Sequence, residues 1–171
     1  MKSGFVTIVG KPNAGKSTLL NSLLDRKIAI TAPKAQTTRN AILGIMNGDD
    51  YQIVFVDTPG IHDPSTHLGS YMNKEAYNQA FGADIIYYLV DGNSGLRDDD
   101  REILDKLFSY EVPIFLLVNK IDEISNDKLI QRLAYGENNY DFAEIIPISA
   151  KTKDNLHDLI NTTLNYLTDS V

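Results

Sequence analysis

Two glycines, a lysine and a hydroxyl at fixed spacing in Gly10-Lys11-Pro12-Asn13-Ala14-Gly15-Lys16-Ser17 make a P-loop pattern, GxxxxGK[ST], whose chemistry is the holding of a phosphate chain. Glycine lets the backbone turn its N–H groups inward on phosphate oxygens, and the helix that follows adds positive potential at its N-terminus. Lys16 is expected to reach the β- and γ-phosphates, and the Ser17 hydroxyl to meet Mg²⁺. Asn13, Ala14, Gly15, Lys16, Ser17 and Thr18 are therefore the expected phosphate-binding segment. A glycine turn capped by serine is the plainer reading, but chance supplies the four required positions in only about 0.6% of chains this long.

Asp57-Thr58-Pro59-Gly60 closes the apolar run 53–56, which puts a carboxylate at the carboxyl end of a strand. There it can hold Mg²⁺ through water, and Gly60 can bring a bare N–H against a γ-phosphate. The tetrapeptide is also an ordinary turn. Its place 41 residues after Lys16, on a second strand, favours the metal role. Asn119-Lys120-Ile121-Asp122 follows the apolar run 114–118, and its Asp122 carboxylate can accept from both N1–H and the 2-amino group of guanine, a donor pair adenine lacks. A buried carboxylate left unpaired by the wrong base discriminates by roughly 10⁴-fold. Ser149-Ala150-Lys151 follows the run 145–148. The Ala150 N–H can donate to guanine O6 and Ser149 can brace the loop, although such a tripeptide is common before helices.

These groups meet only if strands and helices bring them to one edge. Residues 5–9 read as a strand, and 16–24 as a helix carrying Leu19, Leu20, Leu23 and Leu24 on one face. Residues 32–39 have turn and hydroxyl residues without a period and read as a loop. Two strands, 41–46 and 51–56, are joined by Asn47-Gly48-Asp49-Asp50, a hairpin signal that makes them antiparallel neighbours. A helix near 71–81, strands at 84–90, 114–118 and 145–148, and helices at 128–133 and 156–167 complete the alternation. Asp98-Asp99-Asp100 precedes Ile103, Leu104, Leu107 and Phe108, so acids at the positive end of a helix explain the triplet better than a metal does. The order predicts an α/β fold whose mostly parallel sheet is covered on both faces, with its ligand at the carboxyl ends of the strands.

Composition narrows the class. At 43% hydrophobic and 23% charged, 171 residues can bury one core and are too apolar for a disordered chain. The lack of cysteine excludes a disulfide framework, a Cys-ligated zinc site, an iron–sulfur cluster and a thiol nucleophile, and it suits a reducing compartment. The longest apolar runs fall far short of the roughly 20 residues that span a bilayer. The start, Met1-Lys2-Ser3-Gly4, holds no signal region, so a cytoplasmic location is expected. The net charge of −7 is uneven: residues 1–40 carry seven Lys or Arg against Asp25 alone, and the remainder is acidic. An acidic body argues against gripping a nucleic-acid backbone unaided and for binding a small anion.

With four motifs in order, each at a strand end, the chain resembles the translation-factor-related class of small GTPases over nearly its whole length. Gly4-Phe5-Val6 leading into Gly10-Lys11-Pro12-Asn13, then Gln36-Thr37-Thr38-Arg39, Asp57-Thr58-Pro59-Gly60-Ile61-His62 and Gly82-Ala83-Asp84, are similar to the Era family. The resemblance implies a three-layer P-loop NTPase fold with a mostly parallel six-stranded sheet, one antiparallel edge strand and helices on both faces. It implies a switch that binds GTP and GDP, uses Mg²⁺, hydrolyses GTP slowly and serves 16S rRNA processing and small ribosomal subunit assembly. In that family a C-terminal KH domain binds the 3′ end of 16S rRNA. No GXXG loop follows the last expected helix, so a single, monomeric GTP-binding domain without the KH domain is expected. Peripheral membrane association would rest on the resemblance alone.

Within that resemblance, Lys16, Thr38 and Gly60 are the implied catalytic groups. Lys120, Lys151 and their neighbours Asn119, Asp122, Ser149 and Ala150 hold guanine, and Ser17, Thr38 and Asp57 hold Mg²⁺. Thr37 is the alternative to Thr38 as the hydroxyl that senses the γ-phosphate. Release of residues 31–40 and 60–72 on hydrolysis would be the switch. Ras-like enzymes orient the attacking water with a glutamine where this chain has Ile61, whose side chain can neither donate nor accept. Family members of this kind resemble potassium-activated GTPases, which makes Asn13 a candidate K⁺ ligand; a P-loop turn residue is the equal alternative. Another ribosome-assembly GTPase, and a GTP/GDP-binding module with negligible unaided hydrolysis, are the competing readings. An ATP-dependent phosphotransferase is disfavoured by Asn119 and Asp122. His62, His67 and His157 receive no role.

Overall fold

A computed structural model describes residues 1–24, 41–57 and 82–169 of the chain. Strand β1 (Lys2–Gly10) runs into helix α1 (Lys16–Leu24). The hairpin β2 (Ala41–Asn47) and β3 (Tyr51–Asp57) follows, then β4 (Ile85–Asp91), α2 (Asp98–Phe108) and β5 (Ile114–Asn119). After them come α3 (Asn126–Asn139), β6 (Glu144–Pro147), α4 (Leu156–Tyr166) and a two-residue β7 (Thr168–Asp169). The expected loop at 32–39 with Thr37 and Thr38, the segment with Gly60 and Ile61, and the helix at 71–81 lie outside the described residues.

The sheet runs β2-β3-β1-β4-β5-β6. β1 pairs in parallel with β3 on one side and β4 on the other, and β5 and β6 continue in parallel. The β2–β3 pair is the antiparallel edge that the Asn-Gly signal predicts, with the Gly48 N–H donating to the Tyr51 carbonyl at 2.9 Å. One strand was not expected: β7 pairs antiparallel with Lys2 and Ser3. It fits there because β4 begins opposite Val6 and leaves the first residues of β1 without a neighbour on that side.

Both faces of the central strands are buried, so β4 and β5 read as unbroken apolar runs instead of alternating ones. Val6, Ile8, Phe55, Tyr87 and Leu117 pack with α1 and α4, whereas Val9, Ile86, Tyr88, Leu116 and Val118 pack with α2 and α3. The adjacent tyrosines of β4 point to opposite faces, and each buried hydroxyl has a partner: Tyr87 with Thr163 at 2.6 Å, and Tyr88 with Asp100 at 2.5 Å. Burial pushes both phenols well above their ordinary range, and for Tyr88 the neighbouring Asp100 adds to the effect.

Helix α3 corrects the sequence reading most. The apolar spacing predicts only 128–133, but the helix runs from Asn126 to Asn139, starting at Ser125, whose hydroxyl accepts from the Lys128 N–H. Gly136, a poor helix former, lies within it because the helix sits so close to β5 that a Cβ there would come within 2.7 Å of the Leu116 Cδ2. Among the described residues, no helix is long and apolar enough to cross a membrane.

Candidate functional site

Parallel pairing carries the chemistry-bearing residues to one edge. Ile8 stands opposite Asp57, Gly10 opposite Leu89, Asp91 opposite Asn119, and Val118 opposite Pro147, so Gly10, Asp57, Asp91, Asn119 and Ser149 all sit at the carboxyl ends of neighbouring strands. β1 lies between β3 and β4, where connections leave in both directions, and a crevice opens at such a point.

The loop between β1 and α1 is closed by a bond from the Ala14 N–H to the Lys11 carbonyl at 2.9 Å, and α1 starts with the Leu19 N–H on the Gly15 carbonyl. Gly15 has φ +101°, and a Cβ on it would lie 2.5 Å from the Asn119 Nδ2. Only glycine meets both demands. Lys16 Nζ is 2.6 Å from the Asp57 Oδ1, with both side chains partly exposed at the crevice. Asp57 is thus beside the P-loop lysine despite 41 intervening residues.

On the other flank Asn119, 2% exposed, works as a clamp. Its Nδ2 donates to the Ala14 carbonyl, and its Oδ1 accepts from the Ala150 N–H, both at 2.9 Å. The amide so ties the phosphate loop to the 149–151 segment. The Ala150 N–H, read from sequence as a donor to a base, is thus already engaged by Asn119. Lys120, in the left-handed region at φ 68°, extends its ammonium to the Asn13 carbonyl at 2.9 Å and to the Asp91 Oδ2 at 3.2 Å. The Ser149 hydroxyl donates to the Asp122 Oδ1 at 2.8 Å and accepts from the Thr152 N–H, which holds the carboxylate over the short 3₁₀ turn Ile121–Glu123. Gly15, Thr18, Asn119, Lys120, Asp122, Glu123, Ala150 and Lys151 line a cleft of about 150 Å³.

The structure joins residues that sequence reasoning passed over. Asp91 accepts from the backbone N–H and Nδ2 of Asn93 as well as from Lys120. Partial burial opposes ionisation there, but those hydrogen bonds outweigh it and hold the carboxyl below the usual range. Its signal was available: like Asp57 and Asn119, it is the first polar residue after a buried run. Lys11, by contrast, is drawn to the start of α2, 2.6 Å from Asp99 and 3.3 Å from Asp100, a contact that no local pattern announces.

A parallel sheet with a glycine-turned loop and lysine at the end of its central strand, and an Asn-Lys-x-Asp turn two strands away, defines a P-loop nucleotide-binding protein of the GTPase class. The family described as "50S ribosome-binding GTPase" matches residues 5–120, and the chain belongs to that family. It is similar to the GTPase Era of Clostridium kluyveri, 47% identical over 167 residues, which cover 98% of this chain and 57% of the relative. Two solved structures agree over the whole chain. An Era variant of Aquifex aeolicus bound to GDP·AlF4⁻ has TM-score 0.77 and 39% identity, with 59% of its length covered. Era in complex with MgGDPNP and nucleotides 1506–1542 of 16S ribosomal RNA has TM-score 0.76 and 42% identity, again with 59% covered. The chain therefore spans a little over half the length of these relatives.

Proposed function

We propose that residues 1–171 are a single GTP-binding and GTP-hydrolysing switch domain of the Era type. The observation that carries the reading is the Asn119 clamp: one buried amide holds the P-loop and the 149–151 segment on either side of a cleft that Asp122 lines. In this reading, backbone N–H groups of Asn13 to Thr18 and the Lys16 ammonium hold the phosphates. Asp122, braced by Ser149, accepts from guanine N1–H and the 2-amino group, with Lys120, Ala150 and Lys151 enclosing the base. The Ala150 N–H would then be shared between Asn119 and guanine O6.

The donor set suits Mg²⁺, a hard ion that keeps much of its water and needs few protein oxygens: the Ser17 hydroxyl, the Asp57 carboxylate and Thr38 would hold it. When bound, it would neutralise charge on the β- and γ-oxygens. Lys16 pairs with Asp57 at 2.6 Å, and in this reading the ammonium would leave that carboxylate for a phosphate oxygen. Gly60 would donate its N–H to the γ-phosphate. Ile61 cannot orient water, so hydrolysis by this domain alone is slow, and Asn13, exposed in the loop, is the residue to hold a potassium ion beside the phosphates.

Purified protein with Mg²⁺ should bind GDP and GTP far more tightly than ADP and ATP. Equal affinity for adenosine nucleotides would end the reading. Single-turnover hydrolysis in KCl should exceed that in NaCl at matched ionic strength, and Asn13→Ala should remove the difference. No turnover in either salt would favour a binding module that needs a partner. The ribosomal role belongs to the complete protein: the relative bound to 16S RNA supports a partner in the small subunit, reached through a KH domain outside residues 1–171. The domain alone should be monomeric.

A further inference from the structure

The second residue of the P-loop is tied to a buried carboxylate on the opposite side of the sheet from α1. Asp100, 1% exposed, has three donors among the described residues: the Tyr88 hydroxyl at 2.5 Å on Oδ1, and on Oδ2 the Arg97 N–H at 2.7 Å and the Lys11 Nζ at 3.3 Å. Two of these belong to the frame of the fold, since Tyr88 is a core residue of β4 and Arg97 is the residue before α2. The third is the only one on the P-loop, and it is the only charged one. Asp99 reinforces it from solvent at 2.6 Å.

Lys11 also accepts the Ala14 N–H on its carbonyl, so the residue that reaches Asp100 closes the turn containing Asn13. On the other side of that turn, Lys120 holds the Asn13 carbonyl. Residues 11–13 are therefore held between two lysines. One belongs to the Asn-Lys-x-Asp turn, and the other is the loop's own lysine, anchored in the core by Asp100.

We propose that Asp100 is a positioning residue for GTP hydrolysis: by fixing Lys11 it sets the placement of residues 11–13 beside the phosphates. This rests on the GTPase reading above. Its energetic logic is that a carboxylate buried among fixed donors cannot follow the loop, so the loop must follow it. Chemistry is more sensitive to such placement than affinity is, because reacting atoms must be held within fractions of an ångström.

The test compares Asp100→Asn, Lys11→Met, Lys11→Arg and the Lys11→Met/Asp100→Asn pair with wild type. Single-turnover GTP hydrolysis, GDP affinity and thermal unfolding are measured on each. Asp100→Asn should slow hydrolysis about tenfold while GDP affinity changes much less. Lys11→Arg should retain most of the rate that Lys11→Met loses. The double variant should be no slower than the slower single one, because both substitutions cut the same link. Asp105→Asn, on the exposed side of α2, should hydrolyse GTP as wild type does. Wild-type rates in a folded Asp100→Asn protein, or losses that multiply in the pair, would overturn the proposal; multiplying losses would mean that Lys11 acts on the nucleotide directly. Should Asp100→Asn fail to fold, equal rates for Lys11→Met and Lys11→Arg would overturn it, and arginine rescue would support it. A wild type that neither binds nor hydrolyses GTP would instead defeat the GTPase reading itself.

Discussion

Single side chains at this site each serve two masters, and the cost of changing them should reflect both. Asn119 bonds to Ala14 and Ala150 while almost fully buried. Asn119→Ala should lower unfolding free energy in urea by about 2–3 kcal/mol, since two buried partners lose their bonds. It should also abolish tight guanine-nucleotide binding. Asp122 is a sharper probe of the base. Its carboxylate suits two donors, whereas an asparagine offers one acceptor and one donor, which matches xanthine, whose C2 carries a carbonyl. Asp122→Asn should therefore exchange preference from GDP to xanthosine diphosphate in competition binding, and retained GDP preference would contradict the assigned role. Both residues were picked out from the four-residue motif alone, because the chemistry proposed for them constrains type and spacing. The partners that hold them, Ala14 for Asn119 and Ser149 for Asp122, are 105 and 27 residues away, and that proximity exists only in the fold.

At the scale of elements, α3 shows how packing overrides local preference. Three of the four residues in Gly136-Glu137-Asn138-Asn139 are poor helix formers, yet the helix continues through them because glycine permits close approach to β5. Gly136→Ala would gain about 1 kcal/mol of helix propensity. It would also drive a methyl against Leu116, which is fully buried and cannot yield, at about 1–3 kcal/mol. A net loss of stability is expected in urea unfolding, with the helical circular dichroism signal unchanged before the transition. Gly15→Ala combines a φ of +101° with contact on Asn119, and should weaken GDP binding more strongly than it lowers thermal stability.

For the whole molecule, the carboxyl edge of the sheet is a belt of opposed charges: Lys16 with Asp57, Lys120 with Asp91, and Lys11 with Asp99 and Asp100. Asp99 is held below the usual carboxyl range chiefly by its hydrogen bond from Lys11, and Asp91 by Asn93 and Lys120 against the opposing effect of burial. A carboxyl depressed in the folded state stabilises the fold above its unfolded-state value, near 4, and the contribution fades as pH falls through the folded-state value. Asn93→Ala should raise the Asp91 titration in a carboxyl NMR experiment and shrink that contribution at neutral pH. An unmoved titration would show that the residue-93 backbone N–H and Lys120 set it without the Nδ2 bond.

From the chain of letters came the candidate site motifs, the alternation of strands and helices, and the antiparallel edge at Asn47-Gly48, because all three depend on short-range spacing and local turn chemistry. Strand order, the β7 cap on β1, the length of α3 and the attachment of Lys11 to Asp100 were decided by tertiary structure. Each depends on which distant surfaces come to lie in van der Waals or hydrogen-bonding contact, and residues 89 positions apart carry no mutual signal until the sheet has brought them together.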